Sequence, residues 1–172
     1  MQHGIIFQHL WPEHTHPLEQ QCHDNIKKLI HSLPANIPVL SYDIKVEEIA
    51  ELLQKKFTNI HLLAELDHQA TNEIKKTMTR WVDQHDLKYI YVAGLHFNCC
   101  VMQCTTKLRK ICLDKGRQWN WDFVVRVIED CTISLHHTQT EPCLLEDTTL
   151  YMNYDEIKPW LINSLEVLNN VR

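Results

Sequence analysis

Glycine is scarce in this chain, three residues in 172. There is no glycine- or serine-rich linker, no internal repeat and no low-complexity segment, so a single domain over 1–172 is expected. With so few glycines, Gly94 is not expected to be filler. No run approaches the roughly 18 apolar residues that a membrane span needs. The start, Met1-Gln2-His3-Gly4, lacks a basic stretch followed by a long apolar run, so no secretory signal is expected. Positive charge is also in deficit. The formal net charge is −5, which argues against a nucleic-acid partner, because such proteins carry a basic stripe. The seven cysteines form an odd set at irregular positions: Cys22, Cys99, Cys100, Cys104, Cys112, Cys131 and Cys143. A secreted disulfide framework favours even numbers and shorter chains. Reduced thiols and a cytoplasmic location are the expectation.

What is present is ordinary in amount and ordered in pattern. Apolar residues make up 44% and charged residues 23%, as in globular domains. Twelve histidines make the surface charge sensitive to pH near neutrality. Short apolar runs that read as buried strands alternate with stretches of helical period. Strands are expected at Ile5–Phe7, Pro38–Tyr42, Ile60–Leu66, Tyr89–Ala93 and Phe123–Ile128. Helices are expected at Asp24–Leu33, Val46–Phe57, Asn72–His85 and from about Cys99 to Leu113. Gly116 follows that last one as a stop. A short helix is read at Leu144–Leu150 and a final amphipathic one at Asp155–Val171, with Trp160, Leu161 and Leu165 inward. This alternation points to βαβ units and a parallel sheet. Ligands bind such sheets beyond the carboxyl ends of the strands.

The segment Val92-Ala93-Gly94-Leu95-His96-Phe97-Asn98-Cys99-Cys100-Val101 ends the clearest strand and opens a helix. Helix starts present free N–H groups and a positive dipole end. A thiol there gains thiolate character, and the same N–H groups suit a developing oxyanion. The plainer reading is that Cys99, Cys100 and Cys104 are small residues packing a helix onto a sheet.

The order Tyr-Ile-Tyr-Val-Ala-Gly-Leu-His-Phe-Asn-Cys-Cys-Val, then Gly116, then Val-Val-Arg-Val-Ile-Glu-Asp-Cys resembles the isochorismatase-like cysteine hydrolases. That family includes nicotinamidases and N-carbamoyl amide hydrolases. Asn25–Ile30 and Ile37–Leu40 look like its first helix and second strand, and Trp81 stands where it often has a large apolar residue. The resemblance implies a three-layer α/β/α sandwich, Rossmann-like, with a mostly parallel sheet of about six strands. It implies hydrolysis of a small amide or other C–N bond, no cofactor, and a homo-oligomer. It places the nucleophile at Cys100, the oxyanion donors at the N–H groups of His96 and Cys100, and a cis peptide between Leu95 and His96.

The chain departs from that family where the acid–base groups belong. An Asp is due at the end of the first strand, where Gln8 or His9 stands. A Lys is due after the third strand, at a position falling on or close to Asp67. Two accounts follow. The fold is kept and activity is reduced or lost, leaving a binding or assembly module, or the site is rebuilt as Cys100 with His9 or His68 as base and Asp67 as orienter. Little or no turnover of standard family substrates such as nicotinamide is expected. His9, His14 and His16 with Glu13 match no closed zinc motif, and no metal is assigned.

Overall fold

In the computed structural model, residues 2–12, 15–63, 71–114, 124–135, 141–147 and 154–172 are described. Among these residues, eight strands and six α-helices follow in the order β1 (His3–Leu10), α1 (Pro17–Ser32), β2 (Val39–Ile44), α2 (Glu47–Lys56), β3 (Ile60–Leu63), α3 (Thr71–Gln84), β4 (Tyr89–Gly94), α4 (Met102–Asp114), β5 (Val124–Ile128), β6 (Ser134–Leu135), β7 (Pro142–Cys143), α5 (Tyr154–Ile157), β8 (Leu161–Ile162) and α6 (Ser164–Val171). Six strands form one sheet in the order β3-β2-β1-β4-β5-β8, and every pair in it is parallel. The strands β6 and β7 form a separate antiparallel ribbon.

Period-two side-chain alternation splits the sheet into two buried faces. Ile5, Phe7, Val39 and Ala93 pack against Cys22, Ile26, Leu29 and Ile30 of α1, Ile49 and Leu53 of α2, and Val167 and Val171 of α6. Ile6, Leu40, Ile90, Val92, Val125 and Val127 pack against Met78, Trp81 and Val82 of α3 and Cys104, Leu108 and Ile111 of α4. The result is the expected three-layer α/β/α arrangement.

Element bounds differ from the periodicity reading in instructive places. The first helix starts seven residues early. His16 is its N-cap, accepting from the Leu18 N–H, Pro17 follows, and Glu19 completes a capping box. The expected final helix Asp155–Val171 is broken. A 3₁₀ turn at Lys158–Trp160 is followed by β8, and Asn163 caps a fresh helix with Glu166 closing the capping box. That restart resets the helical phase, so Leu165 faces solvent at 66% exposure and Leu161 becomes a strand residue beside Val127. The expected helix at Leu144–Leu150 is a 3₁₀ turn, Leu145–Asp147, within its described part. Strand Ile60–Leu66 is described as far as Leu63, and Asp67, His68, Gly116, Glu13 and His14 lie outside the described residues. No helix among the described residues is long and apolar enough to cross a membrane.

Candidate functional site

The strand order fixes where a site belongs. From β1 the chain adds strands on one side, then returns to add β4, β5 and β8 on the other. The loop after β1 runs to α1 on one face of the sheet, while the turn after β4 runs to α4 on the opposite face. A crevice opens at such a switch point, beyond the carboxyl ends of the two strands. Gln8, paired with Gly94, His9 and the cysteine turn meet there.

The turn itself is held from several sides. The Leu95–His96 peptide is cis, and Gly94 has φ +136°. A side chain on Gly94 would collide with the Gln8 carbonyl oxygen. Phe97–Val101 forms a π-helical turn ahead of α4, so Cys100 sits in the opening turn rather than inside the regular helix. The Phe97 N–H donates to Ile133 O at 2.7 Å, and the Cys99 and Val101 N–H groups donate to His96 O at 3.1 and 3.2 Å. Asn98 clamps the turn to β6, accepting from the Leu135 N–H at 2.9 Å and donating to the Leu135 carbonyl. The imidazole of His96 is buried against Glu19, Nε2 to Oε1 at 2.9 Å, which ties the turn to the first turn of α1.

Cys99 and Cys100 are half-buried, whereas Cys104 is buried. Cys104 thus follows the packing reading, in the core beneath α4. Burial pushes the Cys100 thiol above its ordinary value, with Cys99 and the Asp43 carboxylate adding to the effect. Its own backbone N–H, turned on the sulfur, and Lys107 oppose it. The thiol is therefore protonated at neutral pH, and its use as a nucleophile calls for a base.

His9 is at that edge, but its partner is not the one expected. Nδ1 of His9 lies 2.7 Å from Oδ2 of Asp43, at the matching end of β2. Both residues have left-handed backbones, φ 51° and 57°, a conformation for which His and Asp are enriched among non-glycine residues. The paired excursion occurs between Gln8, opposite Tyr42, and Leu10, opposite Ile44. Trp11 leans on the His9 ring at 5.1 Å between centroids, and Lys45 Nζ lies 3.7 Å above the Trp11 ring. Asp67, expected as the orienter, lies outside the described residues, and the carboxylate beside His9 is Asp43, which the sequence reading passed over. A carboxylate just past the apolar run of the second strand was the available signal. Beside them Gln8 is fully buried, its Oε1 accepting from the Tyr42 hydroxyl.

Among the described residues, no group of three or more His, Cys, Asp or Glu side chains could hold a metal ion. What the arrangement offers is a half-buried thiol at the start of α4 and an imidazole held by a carboxylate.

No protein-family model matches the chain, and no curated protein matches it. Among solved structures it is similar to YcaC from Pseudomonas aeruginosa with hexane-2,5-diol and covalent acrylamide. The TM-score is 0.57 at 15% sequence identity, over 99% of this chain and 80% of that one. At that identity the likeness supports the shared fold.

Proposed function

We propose that this chain is a divergent isochorismatase-like cysteine hydrolase that cleaves a small amide or related C–N bond. Its proton relay is rebuilt as Cys100, His9 and Asp43. The observation that carries the reading is the 2.7 Å contact between His9 and Asp43, at the strand edge where Asp43 also acts electrostatically on the Cys100 thiol. His9 takes the Sγ proton as sulfur attacks the carbonyl carbon. The C–S bond forms, the C–N bond breaks, and the proton passes to the leaving amine. Water, deprotonated by the same imidazole, then hydrolyses the thioester. The N–H groups of His96 and Cys100 serve the oxyanion.

The test is ammonia release by purified protein from simple N-carbamoyl compounds and primary amides, nicotinamide included. The expected result is slow turnover, below about 1 s⁻¹, the low end of typical enzymes. It vanishes in Cys100→Ala and falls about 10²- to 10⁴-fold in His9→Ala. One observation favours a second reading, a non-catalytic binding or assembly module: neutral Gln8 pairs opposite Gly94 at the strand end where the family acid is due. A Cys100 that alkylates readily while the whole amide panel stays intact would establish that reading instead. The homo-oligomer and the cytoplasmic location belong to the same proposal, and light scattering on the purified chain tests the first.

A further inference from the structure

Gln8 is fully buried at the carboxyl edge of β1, opposite Tyr42 on one side and Gly94 on the other. The two ends of its amide differ. Oε1 accepts from the Tyr42 hydroxyl, while Nε2 meets no partner among the described residues. The Tyr42 hydroxyl donates to Gln8 Oε1, so the amide N–H groups of Gln8 turn the other way. A buried donor without a partner is costly, and such groups persist at functional sites.

The placement says which site. Cys104 lies four residues after Cys100 on the same helix start, and Tyr42 feels both thiols. Gly94 brings the cysteine turn directly against Gln8, since a Cβ there would collide with the Gln8 backbone carbonyl and meet its Cγ at 3.0 Å. A carboxylate at this position could only accept hydrogen bonds. The amide donates.

We propose that Gln8 is the specificity-determining donor of the Cys100 site, its Nε2 binding the carbonyl oxygen of an amide or carbamoyl substrate. This rests on the reading of Cys100 as the reactive thiol.

The test compares two thiol reagents on the full chain. Acrylamide carries a carbonyl whose oxygen gains charge as Sγ bonds to the terminal vinyl carbon and the π pair shifts towards oxygen, a proton then adding at the α carbon. Methyl methanethiosulfonate has no carbonyl, and it transfers a methylthio group to Sγ while methanesulfinate leaves. Second-order rates at Cys100 are read by intact mass with peptide mapping, and the ratio of acrylamide to thiosulfonate rates is the readout. Any change in thiol acidity acts on both reagents and largely cancels in that ratio. Gln8→Met removes the donor while keeping the side chain's length, and Gln8→Leu removes it with a second apolar side chain. The ratio is expected to fall about tenfold in each. Tyr42→Phe, which leaves Gln8 in place but unanchored, lowers it less. A ratio within about twofold of the unmodified chain in all three, with Cys100 still labelled by both reagents, overturns the role of Gln8 and leaves the Cys100 reading standing. Failure of both reagents to label Cys100 overturns the two together.

Discussion

Asp43→Asn gives the sharpest test of the relay because it changes charge and little else. Asparagine tolerates the left-handed backbone at position 43 as well as aspartate does, so the β2 excursion survives. The side chain keeps its length and can still accept from His9. What is lost is the negative charge 2.7 Å from Nδ1, between groups whose side chains are 24% and 19% exposed. A hydrogen bond to a charged partner is worth about 1.5–3 kcal/mol, and both groups are buried enough to keep most of that value. At 1.36 kcal/mol per tenfold change in rate, amide turnover falls roughly 10- to 150-fold. The thiol responds in the opposite sense. Asp43 helps to hold the Cys100 thiol above its ordinary value, so its removal raises the thiolate fraction and speeds alkylation by iodoacetamide at pH 8. Turnover and alkylation are measured on the same preparation. Slower alkylation, or both rates falling together, would mean that the substitution damaged packing and that Asp43 exerts no field on Cys100. Unchanged turnover would remove Asp43 from the relay.

Other consequences are simpler to check. Because burial holds the Cys100 thiol above 9.0, its alkylation rate climbs through pH 9 and does not level off between pH 6 and 8, as mapped stopped-time labelling would show. The buried Cys104 thiol, with an ordinary value of 9.0 and a folded value of about 12, favours the folded state only while protonated, so urea midpoints fall as pH rises from 9 towards 12. Glu19→Ala removes the carboxylate beside buried His96 and cuts the capping box of α1. The cost is about 3–5 kcal/mol, seen as a melting temperature lowered by roughly 10 °C. Gly94→Ala collides with the Gln8 backbone at a φ that side chains rarely adopt, and a loss of about 3 kcal/mol or more in chemical denaturation is expected.

The fold was largely legible because its signals are local and repeated. Val-rich and Ile-rich runs of five or six residues, each followed by a helical stripe, specify a parallel sheet whatever the loop details. The errors fall where a short polar signal overrides a long apolar one. Ile157, Leu161, Leu165 and Leu168 keep helical spacing across Pro159 and Asn163, yet Asn163 accepts from the Glu166 N–H at 2.9 Å and starts a new helix with a new phase. Two residues before it join the sheet instead. Likewise His16 is an uncommon cap, and only the pairing of its ring nitrogen with the Leu18 N–H at 3.2 Å makes it one.

The candidate site was legible along one strand–turn–helix and illegible across strands. Gly94, His96 and Cys100 lie within seven residues, and their order carried the argument. Asp43 lies 34 residues from His9 in sequence, and Glu19 lies 77 from His96. No spacing rule joins such pairs, because what joins them is the parallel register of β1 on β2 and the docking of α1 against the cysteine turn. Both partners were nonetheless constrained. A carboxylate at a strand's carboxyl edge faces the crevice side of any sheet of this type, and a glutamate in a helix's first turn stands at its N-terminal end, the end nearest that crevice. The strand order, with β1 between β2 and β4, brings those few edge positions to one end of the sheet. The same register makes Gln8 a neighbour of both Tyr42 and Gly94, and so puts an amide, rather than a carboxylate, at the carboxyl edge of β1 between them.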